Sequence, residues 1–467
     1  MSDGGTNTTG GEPGATRRTA RWAAALRASP RITLAVALAL ALLLGGAGWW
    51  TYDRLTDDGP REWSRGPESP VPAALGTEAP VRPSEEVRRM DGGPSAIVGG
   101  LTLHSGTSDE GSHLTARDIR TGKTYWAYGR ERSAIYGLEF SDDLAVVWWS
   151  SGPSGHALTA IDLRTGTARW RLEPPTLMDG YHHMSSQVAI LDRTVYVMTE
   201  AELWALSAAD GERRWRAGPP KGCEQWAAFE DLVQTRDLVT ALATDCADDP
   251  AYDDDPQTAR NARVGLAPDT GTVRWREPQD ASLRPVLRVD DTTLLRAEDD
   301  PDRVSVIDVS GARPRIRTFP FADDHSTRGV HEGTLVAQSR AESAAVRGVS
   351  LADGEQQWIR RPARDTRFGA ARVADGRVYV VEQPFQEESW PPEAGPSRLL
   401  VLDAVSGEEL HTTDLPRLRL TGSGSVRQEL VVGRAQDGIV TVYWSRQELI
   451  NSSGTPTQML MLAEPAA

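Results

Sequence analysis

Ile161-Asp162-Leu163-Arg164-Thr165-Gly166-Thr167-Ala168-Arg169-Trp170 is one copy of a ten-residue phrase that recurs along this chain. Each copy runs into a turn that contains glycine, and five copies end on tryptophan. These five span residues 117–126, 161–170, 206–215, 266–275 and 349–358. A period of this kind indicates that one small structural unit has been copied along or around an axis.

The phrase predicts a strand, a tight turn and a returning strand. Gly166 marks a position that favours positive φ, and the side chain of Asp162 can accept hydrogen bonds from amides inside the turn. Trp170 ends the returning strand, where its ring can be buried against the next sheet. We therefore interpret the repeated residues as structural rather than as a cofactor site. They are Asp118, Gly122, Trp126, Asp162, Gly166, Trp170, Gly211, Trp215, Gly271, Trp275, Gly354, Trp358, Asp403 and Gly407.

The spacing of the phrase favours radial repetition. Trp126, Trp170 and Trp215 follow one another at intervals of 44 and 45 residues, the length of four short strands with turns. The next interval is 60 residues, which indicates an insertion, and the one after it is 83, which indicates two units. We expect the degenerate turn at 307–311, with Ile316 where the tryptophan is lost. A seventh copy, 402–411, ends on histidine.

Other segments fit the same architecture. Residues 188–198, 371–381 and 430–444 alternate like hairpins, and no long helical period follows residue 53. The fold class is therefore all-β: a seven-bladed β-propeller over residues 93–450, with eight blades as the alternative. The strands at 429–432 and 439–444 lie beyond the seventh phrase. We expect them to pair with residues near 95–126 and so close the ring.

The N-terminal region predicts a membrane anchor. Residues 1–31 carry five arginines against Asp3 and Glu12 and form the expected cytoplasmic tail, and 32–52 is an apolar span ending in aromatic residues. A signal peptide cleaved after small residues such as Ala47 is the competing interpretation. Residues 53–92 predict a proline-rich linker, and residues 451–467 a C-terminal tail. We expect a single-pass protein of the cell membrane with its propeller outside the cytoplasm.

Charge narrows the choice of partners. The whole chain has a net charge of −15, and the tail accounts for +3, which leaves −18 on the remainder. Such a surface repels the phosphate backbone, so nucleic acid is not an expected partner.

Three local features raise other possibilities. His182-His183 would suit a metal site, but adjacent residues on a strand face opposite ways. The acidic run from Asp245 to Asp255 lacks the spacing of a calcium loop, which favours a solvated surface. Trp148-Trp149 and Trp390 would suit a binding surface, although alternation favours packing for at least one of the pair. No metal ligand is assigned, and no motif of a hydrolase, zinc protease, nucleotide-binding loop or dinucleotide fold occurs.

The two cysteines, Cys223 and Cys246, predict a disulfide. Apolar stretches at 226–229 and 238–242 read as two strands, and the polar junction 234–237 lies between them. A hairpin folded there sets the cysteines opposite one another, with Cα atoms about 4.5–5.5 Å apart, which is within disulfide range. Two free buried thiols are the alternative, and the extracytoplasmic compartment favours the bond.

The phrase as it stands at Asp118–Trp126 and Asp162–Trp170 resembles the repeat of the pyrroloquinoline-quinone-like (PQQ-like) β-propellers, over residues 95 to 445. That family includes quinone-dependent alcohol dehydrogenases and non-catalytic envelope proteins. The resemblance implies vicinal cysteines beside the quinone in the enzymes, whereas Cys223 and Cys246 are far from adjacent. We therefore expect no PQQ or other cofactor, no catalysis, and a binding or scaffold role toward a protein, peptide or cell-envelope partner. The alternative is a quinone- or metal-dependent enzyme that uses the central channel.

Overall fold

A computed structural model defines the fold of this chain. Two units are distinguished, Met1–Arg61 and Glu62–Ala467, and the description below concerns the second. The predicted cytoplasmic tail and transmembrane helix lie outside the described residues, and within those residues no helix is long and apolar enough to cross a bilayer. The structure describes residues 61–67, 71–72, 76, 78–90, 96–109, 111–141, 143–150, 156–173, 188–198, 202–226, 232–246, 261–279, 286–297, 303–311, 314–321, 325–339, 345–384, 397–416, 428–446 and 458–463.

The described residues form eight antiparallel sheets, numbered in chain order. Two strands come first: β1 (Glu62–Arg65) and β2 (Pro83–Met90). Sheet 1 contains β3 (Ala96–Val98), β4 (Leu101–Ser108), β5 (Gly111–Asp118) and β6 (Thr124–Glu131), with β1 added beside β6. Sheet 2 contains β7 (Ala134–Phe140), β8 (Leu144–Ser150), β9 (His156–Asp162) and β10 (Ala168–Leu172). Sheet 3 contains β11 (Val188–Leu191), β12 (Thr194–Met198), β13 (Leu203–Ser207) and β14 (Arg213–Ala217).

The next two sheets follow the same order. Sheet 4 contains β15 (Cys223–Trp226), β16 (Val233–Gln234), β17 (Val239–Cys246), β18 (Asn261–Leu266) and β19 (Val273–Gln279). Sheet 5 contains β20 (Val286–Arg288), β21 (Thr293–Ala297), β22 (Arg303–Asp308) and β23 (Arg315–Pro320).

The last three sheets complete the set. Sheet 6 contains β24 (His325–His331), β25 (Thr334–Ser339), β26 (Val346–Ser350) and β27 (Gln356–Arg360). Sheet 7 contains β28 (Thr366–Phe368), β29 (Arg372–Ala374), β30 (Arg377–Pro384), β31 (Ser397–Asp403) and β32 (Glu409–Leu415). Sheet 8 contains β33 (Gln428–Gln436), β34 (Ile439–Arg446) and β35 (Gln458–Ala463), followed by β2.

The hydrophobic core lies between the sheets rather than inside any one of them. Seven clusters of buried side chains each join two neighbours, from sheets 1 and 2 through to sheets 7 and 8. Sheet 8 reaches sheet 1 through Gln436, whose Nε2 donates to the carbonyl of Ile97 at 2.7 Å. This cyclic order of contacts is that of a β-propeller, which confirms the all-β prediction.

The strand sequences fit this packing. β8 is buried at every position, because both of its faces are covered by neighbouring sheets, and it reads as a continuous apolar run. β14 instead buries only Trp215 fully, and its arginines face solvent. The first strands of neighbouring sheets approach one another, as β7 does β11 and β29 does β33, so they line the inner side of the ring.

Sheet 8 corrects the predicted closure. β33 and β34 do not pair with residues near 95–126, which form sheet 1. They are joined instead by β35, and β35 pairs with β2 from the other end of the chain. The third and fourth strands of sheet 8 are therefore the two chain ends, with no turn phrase between them. Because sheet 8 contains no turn phrase, the sequence has seven copies of the phrase while the described residues form eight sheets.

Strands also occupy two segments expected to lie outside the propeller. β1 and β2 fall within the linker predicted at 53–92, and β35 falls within the tail predicted at 451–467. The residues before β2 are held against sheet 7 by hydrogen bonds between their backbone and its side chains. The amide of Ala79 donates to Asp375 Oδ2 at 2.7 Å, and Tyr379 Oη donates to the carbonyl of Pro80 at 2.9 Å.

Candidate functional site

The repeated turns are stabilised by their own side chains. Asp118 Oδ1 accepts from the amides of Arg120 and Thr121 at 2.7 and 2.9 Å. Asp162 and Asp403 accept in the same way, and Ser207 and Ser350 take the same place in their turns. These hydrogen bonds lower the pKa of the Asp403 carboxyl, which keeps it ionised as an acceptor. The turn acid thus has a structural role.

The phrase tryptophans connect neighbouring sheets. Trp126, at 0% exposure, donates from Nε1 to the carbonyl of Leu163 in the next turn at 2.8 Å. Trp170, Trp215 and Trp358 make the equivalent bond to Ala208, Pro268 and Ala404, at 3.1, 2.7 and 3.2 Å.

The phrase glycines receive these rings. Gly166 has φ +68°, and a Cβ there would lie 2.6 Å from Trp126 Cγ. Gly211, Gly271 and Gly407 likewise face the rings of Trp170, Trp215 and Trp358. Gly122 has φ +70° but would meet no heavy atom among the described residues. In these copies the glycine therefore permits the positive φ of the turn and leaves room for the tryptophan ring of the preceding sheet. Gly122, in the first copy, has only the turn role.

In the degenerate fifth unit two side chains replace the tryptophan. One makes its hydrogen bond to the next turn, and the other makes its ring contact with the glycine of that turn. In strand register the tryptophan position is Arg317, opposite Val306, rather than Ile316, which is 44% exposed. Arg317 Nη2 donates to the carbonyl of Leu351 at 2.9 Å, the same bond that the indoles make. Phe319 supplies the ring that lies against Gly354.

Two other copies depart from the pattern. Trp275 is only partly buried, against the hydrophobic cluster that joins sheets 4 and 5. His411 replaces tryptophan in sheet 7, whose neighbour, sheet 8, has no turn phrase to receive an indole.

The predicted disulfide is present. Cys223 and Cys246 are direct partners in the pairing of β15 with β17, with Cα atoms 3.8 Å apart, closer than the predicted 4.5–5.5 Å. The hairpin turn is centred between Arg236 and Asp237, two residues later than predicted, because Val233 faces Thr240. The interruption between β15 and β16 restores the register that brings the cysteines together.

The other sequence candidates do not form a described site. Trp148 and Trp149 are exposed by 1% and 0%, because sheet 3 covers one face of β8 and sheet 1 the other. They are packing residues, so the binding-surface interpretation of this pair is wrong. His182-His183, Trp390 and Asp248–Asp255 lie outside the described residues.

The inner strands carry features that the sequence reasoning missed. Bulges interrupt the first strands of sheets 2, 6 and 8 at Tyr136, Arg328 and Gly433-Arg434. Bulges re-aim side chains and are common beside functional sites. Each is set by pairing with the second strand, so no local sequence signal predicts it.

Arg434 of β33 interacts electrostatically with two other charged groups on inner strands, Glu139 of β7 and Arg372 of β29. Burial raises the pKa of Glu139 to about 7, and the charge of Arg434 partly opposes this shift. Burial also lowers the pKa of the Arg434 guanidinium, as does the like charge of Arg372. The described part of the chain contains no group of three or more potential metal ligands.

Comparison with known proteins identifies the family. The family described as outer membrane protein assembly factor BamB matches residues 45–244 and 260–449. The chain belongs to this family. The PQQ-like resemblance carried by the phrase is thereby confirmed, and the matched ranges of the BamB family cover every repeat described above. No curated protein matches the chain by sequence.

Solved structures with similar folds have diverse functions. BamB from Moraxella catarrhalis is 15% identical with a TM-score of 0.43, covering 82% of this chain and 99% of that one. Dihydro-heme d1 dehydrogenase NirN is 15% identical with a TM-score of 0.45, covering 76% and 78%. Quinohemoprotein alcohol dehydrogenase from Comamonas testosteroni is 13% identical with a TM-score of 0.44, covering 87% and 76%. At these identities and TM-scores, no function is transferred from these proteins.

Proposed function

We propose that this BamB-family chain is an eight-bladed propeller anchored in the cell membrane by residues 32–52. It acts outside the cytoplasm as a non-catalytic binding or scaffold module for a protein, peptide or cell-envelope partner. The apolar span and the arginine-rich tail before it support the anchor. The eight sheets in cyclic order support the blade count.

The observation that carries the non-catalytic assignment is the use of the cysteines. Both sulfurs are engaged in a bond across a hairpin, between residues separated by 23 positions. The chain has no other cysteine, so it cannot provide the vicinal pair expected of the quinone enzymes. A structural disulfide also fits an oxidising compartment outside the cytoplasm.

Crosslinking in intact cells tests this function. The full chain, tagged at the C-terminus, is crosslinked, solubilised and purified, and bound proteins are identified against a control chain in which the apolar span carries three added arginines. We expect the wild-type chain in the membrane fraction, digestible from outside in spheroplasts, with a partner that the control fails to capture. A wild-type chain found soluble in the cytoplasm, with two free thiols, would overturn the proposal.

The electrostatic interaction of Arg434 with Glu139 and Arg372 on the inner strands favours a second candidate, an enzyme that uses the channel. A carboxyl whose pKa is raised by burial, in electrostatic contact with a guanidinium, is suited to proton transfer. The optical spectrum of the purified full chain separates the two functions, because a bound quinone absorbs in the near ultraviolet. A quinone band lost in Arg434→Gln would favour the enzyme; its absence in wild type favours the scaffold.

A further inference from the structure

Sheet 1 has an added strand on its outer side. Its order is β1-β6-β5-β4-β3, so β1 covers the edge of β6 that faces away from the inner strands. β1 pairs antiparallel with β6 through four residues, from Glu62 opposite Arg130 to Arg65 opposite Ala127. In the described parts of sheets 2 to 7, the corresponding fourth strand ends the sheet. The β6 edge therefore pairs with a further strand, which the corresponding edges of the described parts of sheets 2 to 7 do not.

The edge contains a socket shaped for an aromatic ring. Trp63, Gly129, His113 and Gly106 are successive partners across four strands. A Cβ at Gly129 would lie 2.4 Å from the ring of Trp63, and one at Gly106 would lie 2.8 Å from the ring of His113. Rings and glycines therefore alternate along one row, each ring lying over a glycine. This pattern stabilises strand edges that contain glycine.

A second pocket, on the opposite face of sheet 1 from the socket, binds a carboxylate. Tyr128 Oη donates to Glu62 Oε2 at 2.5 Å, Arg130 Nη1 lies 3.9 Å from Oε1, and Arg171 of sheet 2 also pairs with this group. The Glu62 side chain is only 18% exposed. Burial and the Glu62 acceptor raise the pKa of Tyr128 to about 12, so the hydroxyl remains a donor. The edge thus recognises an acidic residue followed by an aromatic one.

β1 has the character of a ligand rather than of a core strand. Ser64 and Arg65 are exposed, and none of the seven hydrophobic clusters contains a described residue of β1. Four residue pairs at a sheet edge make a marginal interaction on their own. Specificity comes from the two side-chain pockets, and the backbone ladder supplies the rest, as in recognition by strand addition.

We propose that the outer edge of β6 is a strand-addition site for an extended peptide that carries an acidic residue followed by an aromatic residue. Residues 62–65 occupy it in cis, and a partner's segment of the same chemistry displaces them. This assignment rests on the proposed binding function and specifies where the partner docks. Occupation in cis protects the edge from unspecific pairing until that partner arrives.

Peptide binding to the purified full chain tests the site. The probe is a fluorescein-labelled synthetic peptide with the sequence of residues 60–67, Pro-Arg-Glu-Trp-Ser-Arg-Gly-Pro, followed by anisotropy. A release variant, Trp63→Ala, weakens the cis strand and leaves the socket intact. We expect the release variant to bind the probe at least tenfold more tightly than wild type. A probe with Glu→Gln and Trp→Ala changes should not bind.

The socket is then closed in the release variant by Gly129→Ala, whose added Cβ occupies the place of the Trp63 ring. We expect this change to reverse the gain at least tenfold, with the urea midpoint unchanged. In wild type, excess probe should speed hydrogen exchange of the 62–65 amides. Equal binding of both probes, or a gain that survives Gly129→Ala, would overturn the site. Crosslinking in cells tests the scaffold function independently of peptide binding. If a partner is captured but the peptide does not bind, the strand-addition site is refuted and the scaffold function is not.

Discussion

Adding one methyl group at Gly166 tests how the sheets are joined. Gly166 and Gly122 occupy the same turn position with the same backbone, at φ +68° and +70°. A Cβ at Gly166 would lie 2.6 to 2.8 Å from three atoms of Trp126, whereas one at Gly122 meets no described heavy atom. Gly166→Ala and Gly122→Ala therefore differ in the ring contact and share the backbone cost.

The two costs can be estimated separately. Alanine in the left-handed region costs about 1–2 kcal/mol relative to glycine. Trp126 cannot move aside, because it is fully buried and its indole is hydrogen-bonded to Leu163. Overpacking of this kind costs a further ~1–3 kcal/mol. We expect Gly122→Ala to lower the free energy of unfolding by about 1–2 kcal/mol, and Gly166→Ala by about 2–5 kcal/mol.

Urea unfolding followed by tryptophan fluorescence and circular dichroism measures both variants. Trp126→Ala provides the third arm, because without the ring Gly166→Ala should cost only its backbone part. The coupling between residues 126 and 166 should then equal the difference between the two glycine variants. Equal destabilisation by Gly122→Ala and Gly166→Ala, or a coupling of zero, would show that the ring contact does not hold the sheets together.

Three further outcomes are expected. Trp170→Ala removes a ring with 7% exposure and should cost about 3–5 kcal/mol in urea unfolding, and an unchanged midpoint would contradict its burial. Cys223→Ser with Cys246→Ser opens the cross-strand bond and should cost about 3 kcal/mol; titration of the denatured, unreduced wild type should find no thiol, and two would refute the bond. Glu139 has its pKa raised from 4.5 to about 7, so between these values the folded chain keeps a proton that the unfolded chain has lost, and stability falls as pH rises. Glu139→Gln should stabilise by about 1–2 kcal/mol at pH 8, after allowance for solvent screening, and by little at pH 4; equal effects at both pH values would disprove the shift.

Much of the fold could be predicted because the turn of each repeat is specified by interactions between residues a few positions apart. Asp162 and Gly166 specify the turn within a few residues, so their pattern indicates the turn wherever it occurs. The hairpin between Cys223 and Cys246 was predictable for the same reason. Its centre was misplaced by two residues, because the interruption of the first arm depends on the pairing of β15 and β16 with β17.

The candidate sites could not be predicted in this way. Glu139, Arg372 and Arg434 lie on three different sheets, and no motif connects them in the sequence. The interpretation of Trp148-Trp149 as a binding surface failed because strand alternation implies one solvent-exposed face. Both faces of β8 are covered by neighbouring sheets. The Trp63 socket is equally invisible, since Gly129 is just one glycine among 43 until β1 lies beside it.

The sequence by itself determined the turn, the repeat and the all-β class, because each depends on residues a few positions apart. Only the tertiary structure decided how the chain ends meet. β35 pairs with β2, which lies far from it in the sequence. The structure also decided that Arg317 and Phe319 together replace one indole, Arg317 in its hydrogen bond and Phe319 in its contact with a glycine. These outcomes are fixed by which edges remain unpaired and which carbonyls and glycines the next sheet presents. Those are properties of neighbours in space, and local residue patterns do not encode them.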